Sequence, residues 1–155
     1  MDHYINVRCD QEANICKIFK ILRKCGYAMA MRGLFHWIPS YSKRSIRKDC
    51  QSKVVILVWN DDVNDYTSTF QMYKDGDTLY VRKIATLPKY EGRGFGSKNL
   101  KYMENYAKEA GCNKVSLDVY NKSKGAISFY IKNGFEIVGE VRSLRFKSLL
   151  MSKLI

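Results

Sequence analysis

Thr78–Thr86 carries a strand pattern, a helix pattern follows within a few residues, and a second strand pattern follows that. Leu100, Met103, Ala107 and Ala110 mark one face of the helix, which stops at Gly111. Val115, Leu117 and Val119 then alternate with Ser116, Asp118 and Tyr120, as in a half-buried strand. A strand, helix and strand of this length imply a parallel pair joined by a right-handed crossover. In open sheets a ligand sits at the carboxyl end of the first strand and the amino end of the helix.

The residues at that junction are Leu87-Pro88-Lys89-Tyr90-Glu91-Gly92-Arg93-Gly94-Phe95-Gly96. Glycine reaches φ > 0 and lets another molecule approach its N–H group. Those amides, with the unpaired amides and positive end of the following helix, form an anion site. The spacing fits neither common phosphate motif. A dinucleotide fingerprint needs glycine where Ser97 stands, and a triphosphate loop needs Gly-Lys-Ser/Thr where this chain has Gly96-Ser97-Lys98. Taken alone, three alternate glycines are a weak signal, and a plain tight turn with no ligand is the alternative.

The remaining patterns predict an alternating order. Tyr4 to Cys9 reads as a strand, Asp10 as an N-cap, and Ile15, Ile18, Phe19 and Leu22 as a helix ending at Gly26. Residues 27–52 are irregular, with a short helix around Ser42 to Cys50. Val54 to Trp59, Thr67 to Tyr73 and Thr78 to Thr86 form a meander that turns at Asn60-Asp61-Asp62 and Asp75-Gly76-Asp77. Ser123 caps a helix carrying Ala126, Ile127, Tyr130 and Ile131, and Phe135 to Val141 with Ser148 to Ile155 closes as a hairpin. A mixed α/β fold in one domain over residues 1–155 is expected. A chain of this length buries about two-thirds of its unfolded surface.

Pro88-x-Tyr90-x-Gly92-Arg93-Gly94-x-Gly96, followed by Ala126-Ile127-x-Phe129-Tyr130-x-x-x-Gly134-Phe135, resembles the GNAT superfamily of N-acetyltransferases. The resemblance is strong over roughly residues 79–140. It implies a central, mostly antiparallel sheet with one parallel strand pair, flanked by about four helices. It also implies acetyl transfer from acetyl-coenzyme A, as cosubstrate, to a primary amine of a small molecule or protein, by direct attack without a covalent enzyme intermediate.

By the same resemblance, Glu91, Gly92, Arg93, Gly94, Phe95, Gly96 and Ser97 surround the pyrophosphate, and Ile84, Ala85 and Thr86 pair with the pantetheine amides as an added strand. Asn121 or Ser123 bonds the pantetheine arm. Tyr130 is the expected general acid, since a phenol of pKa ~10 is protonated at neutral pH and can donate to a forming thiolate. On periodicity alone it would be a core tyrosine. Asp118 is the candidate base, with a structural role as the alternative. Glu91 departs from the family, which usually has Arg or Gln at that position. The loop's backbone, Arg93 and Lys89 still offer positive potential. Phe35, Trp37, Pro39 and Tyr41 are candidates for an acceptor pocket or for packing.

The net charge of +12 admits a nucleic-acid partner, but there is no basic tail or recognisable nucleic-acid motif. The densest cluster is Lys43-Arg44-Ser45-Ile46-Arg47-Lys48. Cys9, Cys16, Cys25, Cys50 and Cys112 include no Cys-x-x-Cys pair. They read as reduced thiols of a cytoplasmic protein, with no metal expected. The start, Met1-Asp2-His3-Tyr4, lacks a signal-peptide pattern, and no apolar run approaches the ~20 residues of a membrane span. A homodimer is compatible with the sequence. The rival readings are a non-catalytic acetyl-coenzyme A binding protein of the same fold and a nucleic-acid-binding module.

Overall fold

The computed structural model describes residues 1–155. In chain order these form β1 (Asp2–Asn6), α1 (Glu12–Ala30), α2 (Lys43–Ser52), β2 (Val54–Asn60), β3 (Asp65–Asp75) and β4 (Thr78–Thr86). A 3-10 turn (Pro88–Tyr90) follows, then α3 (Phe95–Glu109), β5 (Lys114–Tyr120), α4 (Lys124–Lys132), β6 (Glu136–Arg142) and β7 (Lys147–Leu154). The strands are ordered β1-β2-β3-β4-β5-β7-β6. β4 and β5 run parallel, while β1–β2, β2–β3, β5–β7 and β6–β7 run antiparallel. The expected mostly antiparallel sheet with one parallel pair and four helices is the fold observed. No helix is long and apolar enough to cross a membrane.

The chain forms two compact units. The first comprises Met1–Met72 and Lys83–Gly96. Its core is built on α1, whose Ile15, Ile18, Ile21, Leu22 and Cys25 recur at helical spacing and pack with Val7, Val55, Leu57, Ala85 and Leu87. Each fully buried aliphatic side chain contributes about 1.5–3 kcal/mol. Ile46 docks α2 onto the same core, and the Ser42 hydroxyl caps that helix by accepting from the Ser45 amide at 3.1 Å. The basic cluster on α2 is partly engaged by α1. Arg47 grips Glu12 through Nε and Nη2, and Lys43 lies over the Phe19 ring.

Three boundaries here differ from the sequence reading. β1 begins at Asp2 because its register with β2 runs from Asp2↔Asn60 to Asn6↔Ile56, and Asp2 also accepts from the Asn60 side chain at 2.6 Å. Asp10 does not cap α1: the cap position is Gln11, while the Asp10 carboxylate takes Arg8 Nε at 3.3 Å. Gly26 lies inside α1, which continues to Ala30. Its hydrogen makes room for another segment, since a Cβ there would come 3.3 Å from the Trp37 carbonyl oxygen.

The second unit comprises Tyr73–Arg82 and Ser97–Ile155. Val115, Leu117 and Val119 of β5 are buried, as are Leu100, Met103 and Ala107 of α3 and Met151 of β7. β5 pairs with β7 along its whole length, from Lys114↔Leu154 to Tyr120↔Ser148. Its parallel ladder with β4 covers Thr78–Val81 against Lys114–Leu117 and ends there. Glu104 of α3, almost fully buried, is ion-paired with Lys153 of β7.

Candidate functional site

Within the first unit, β4 ends in Ile84, Ala85 and Thr86, which lie beyond the last rung of the parallel ladder. The Thr86 carbonyl accepts from the Cys25 thiol at 3.2 Å, and the Thr86 and Ser68 hydroxyls are 3.2 Å apart. Burial, with the negative charge of Glu91 adding to it, pushes the Cys25 thiol up to about 12. The Leu87 amide donates to Thr67 at 2.9 Å, and the 3-10 turn follows at once. The Tyr90 hydroxyl donates to Asp65 at 2.6 Å and Lys89 Nζ lies 3.0 Å from the same carboxylate. Burial opposes ionisation of Asp65, but these partners and the Tyr66 amide outweigh it and hold its pKa below the ordinary value.

From that anchored turn the chain enters Gly92 at φ +74° and Gly94 at φ +87°. A Cβ at either position would meet nothing within 4 Å. Backbone conformation, not lack of room, therefore requires glycine at both positions. The amides of Gly92, Arg93 and Gly94 donate to no backbone carbonyl. α3 starts immediately afterwards, so its amino end adds a positive dipole. The Arg93 guanidinium lies 5.7 Å from the Tyr90 ring centre and 5.9 Å from that of Phe95. The structure thus brings Glu91 to Gly94 together in one exposed turn, with open amides at Gly92, Arg93 and Gly94, and Phe95 and Gly96 follow as the start of α3. Phe95 differs from its neighbours: its ring is in the core, edge-on to Tyr90.

The other predicted residues lie in the second unit. Ser97 is exposed in the first turn of α3. Asp118 is exposed on β5, in register with Leu150 of β7. Partial burial of its carboxylate raises its pKa, and Arg82 counteracts this. The Asn121 amide donates to the Lys147 carbonyl at 3.0 Å. Ser123 occupies the cap position of α4, but its hydroxyl does not cap the helix. That Oγ is buried with no hydrogen-bond partner, an uncompensated polar atom of the kind that a ligand satisfies. Tyr130 is 9% exposed and packs edge-on between Phe129 and Phe135, and burial pushes its phenol well above its ordinary 10. By packing it is a core tyrosine, as its periodicity alone implied.

Sequence reasoning missed a charged network in the first unit. Asp49 of α2 takes Lys83 Nζ at 2.5 Å, Gln71 Nε2 at 2.8 Å and Lys53 Nζ at 3.4 Å. Lys83 sits in β4 at φ +50° and lies 4.2 Å from the Tyr41 ring centre. Tyr41 in turn meets Trp37 edge-on at 5.7 Å, so two of the candidate acceptor aromatics are packed together. Phe35 is 54% exposed. A surface depression of about 420 Å³ lies elsewhere, lined by Lys114, Gly134, Glu136, Ser152, Lys153 and Leu154 among others. It contains none of the predicted site residues.

A family model described as Acetyltransferase (GNAT) family matches residues 17–135. Among curated proteins, thialysine N-epsilon-acetyltransferase of Sus scrofa is 32% identical over 82 residues, covering 51% of this chain and 48% of that protein. Its namesake from Bos taurus is 29% identical over 92 residues, covering 57% and 54%. The chain thus spans about half the length of the curated relatives it matches. Among solved structures, the PaiA N-acetyltransferase of Thermoplasma acidophilum in complex with coenzyme A superposes with a TM-score of 0.81 at 16% identity, over 100% of this chain and 99% of that one. The ribosomal-protein-S18-alanine N-acetyltransferase of Escherichia coli gives 0.78 at 15% identity, over 100% and 94%. At these identities the likeness shows the fold.

Proposed function

The chain belongs to the GNAT acetyltransferase family, and on that premise we propose that it transfers an acetyl group from acetyl-coenzyme A to a primary amine. The observation that carries this reading is the turn from Gly92 to Gly94, with open amides and left-handed glycines at the mouth of α3. Such a cradle suits a pyrophosphate, which accepts several N–H donors and gains from the helix dipole. Arg93 and Lys89 add positive charge beside it. Ile84–Thr86 offers backbone groups beyond the parallel ladder for the pantetheine amides. The orphaned Ser123 hydroxyl supplies a further polar contact for that arm.

Acetyl-coenzyme A, when bound, supplies an acyl thioester activated toward amine attack. The chain's own residues handle protons. Tyr130 keeps its hydroxyl protonated at neutral pH, because burial disfavours the phenolate, and serves as donor to the departing sulfur. Asp118, exposed and with a raised pKa, is the group that takes the amine's proton, directly or through water. No covalent enzyme nucleophile is needed.

The first acceptors to try carry an ε-amine of the thialysine kind, because the curated relatives are named for it. With a net charge of +12, polyamines are a weaker choice. The test is free-thiol release from acetyl-coenzyme A across an amine panel, alongside a thermal shift with coenzyme A. Turnover with at least one amine is expected. A coenzyme A shift with no turnover on any amine would favour the binding-protein reading, and no shift at all would overturn the cradle.

A further inference from the structure

β6 is an edge strand: β7 covers one side of it and no strand covers the other. Six of its seven residues are exposed. An open strand edge is ordinarily guarded by charge, proline or brevity. This one carries charge and a bulge, yet it also exposes Ile137, Val138 and Val141, at 50%, 56% and 42%. A register shift between Ile137 and Gly139 in the ladder with β7 brings two consecutive apolar residues out to solvent. Leu144 in the following turn and Leu154 on β7 extend the exposed apolar surface of this hairpin.

The charges along the strand are arranged in a particular way. Glu140 is engaged by Lys147 of its own hairpin at 2.9 Å. Glu136 and Arg142, at the two ends of β6, have no ion-pair partner in the chain. With Val138 bulged out of the ladder, an antiparallel pairing of β6 with a second β6 about a two-fold axis between Gly139 and Glu140 sets Glu136 of each copy opposite Arg142 of the other, and Ile137 opposite Val141. The neighbouring registers do not. Centring on Gly139 opposes Glu136 to Val141 and Ile137 to Glu140, and centring on Glu140 opposes Ile137 to Arg142. Opposite charges and apolar pairs directly across a ladder are favourable, and like charges are unfavourable.

We infer that β6 is a self-complementary interface through which two copies of this chain pair edge to edge. The occupant is a second copy because both partners of each ionic pair come from one seven-residue strand. The inference is independent of the acetyltransferase reading.

Sedimentation velocity tests it. The wild-type chain is expected at twice its 18.0 kDa mass, dissociating on dilution. Glu136→Arg or Arg142→Glu alone places like charges at both ends and should raise the dissociation constant by about tenfold or more. Val141→Lys, which leaves both ends intact, should do the same. The double variant E136R/R142E restores opposite charges and should restore the dimer. All three sites are exposed, and the circular dichroism spectrum checks the fold of each variant. A chain that stays at 18.0 kDa at every concentration, a dimer indifferent to the single variants, or a double variant that stays monomeric overturns the inference.

Discussion

Lys83 Nζ lies 2.5 Å from Asp49 Oδ2, joining a strand residue of left-handed φ to helix α2. The pair is enclosed: the lysine side chain is 10% exposed and the aspartate 13%. Lys83 immediately precedes Ile84–Thr86, and its cation lies over Tyr41. The same contacts therefore hold the irregular segment between α1 and α2 and the end of β4. A lysine at positive φ is strained by about 1–3 kcal/mol, and this network is what holds it there.

Removing Asp49 should be costly, because it leaves Lys83 charged and enclosed without its partner. Asp49→Ala is expected to destabilise the chain by about 2–4 kcal/mol, measured by urea denaturation. The pH dependence follows from the lowered pKa of Asp49. Burial opposes its ionisation, but bonds from Lys83 and Gln71 prevail. Its contribution is therefore complete above its ordinary 3.8 and lost as pH falls through the lower folded value. Asp49→Asn should be less stable than wild type at neutral pH but should lose less on acidification through that window.

Gly94 is set by conformation, so substitutions there should rank by tolerance of positive φ. Asn visits the left-handed region, whereas Val does not. Gly94→Asn should keep part of the coenzyme A thermal shift and Gly94→Val should lose it. At a hundred times its dissociation constant, coenzyme A should stabilise wild type by about 2.7 kcal/mol. Equal shifts in both variants would argue against the turn as the binding element.

Ser123→Ala separates a ligand contact from a structural one. A buried hydroxyl without a partner costs about 1–3 kcal/mol, so its removal should leave the free chain as stable or more so. Coenzyme A binding, measured by titration calorimetry, should weaken by about tenfold. A variant that is less stable and binds unchanged would assign Ser123 to the fold alone.

Tyr130→Phe keeps the packing against Phe129 and Phe135 and deletes the proton. The melting temperature should be unchanged while kcat falls by roughly 10²-fold, with coenzyme A affinity retained. Unchanged kcat with chemistry rate-limiting would remove Tyr130 from the reaction.

The crossover unit and the glycine turn were legible because both are local. Strand alternation, helical spacing and the need for glycine at positions 92 and 94 are each written within a few residues of one another. The short helix around Ser42 to Cys50 was legible for the same reason, and the structure adds that Ser42 caps it. Asp49 and Lys83 are 34 positions apart, and nothing in either neighbourhood signals that they meet. Gly26 was misread as a helix stop because the reason for glycine there is the Trp37 carbonyl, eleven residues further along the chain. Asp10 looked like a cap by type, but Gln11 holds that position and accepts from the Arg8 amide. Ser123 was found at its position, while the orphaning of its hydroxyl is a property of packing that no spacing encodes.

The five thiols of this chain differ in accessibility. Cys9 is in solvent, whereas Cys25 lies 7% exposed beneath the Thr86 carbonyl with its thiolate strongly disfavoured. A thiol-reactive reagent will label the first at once and wait for the second, because only a thiolate that meets the reagent reacts. The slow phase of labelling at Cys25 is then a clock for how often α1 lifts from the end of β4, readable without isotopes or a bound ligand. A compound that docks along Ile84–Thr86 would slow that clock, so a mass spectrometer could screen for ligands of this chain before any of its substrates is known.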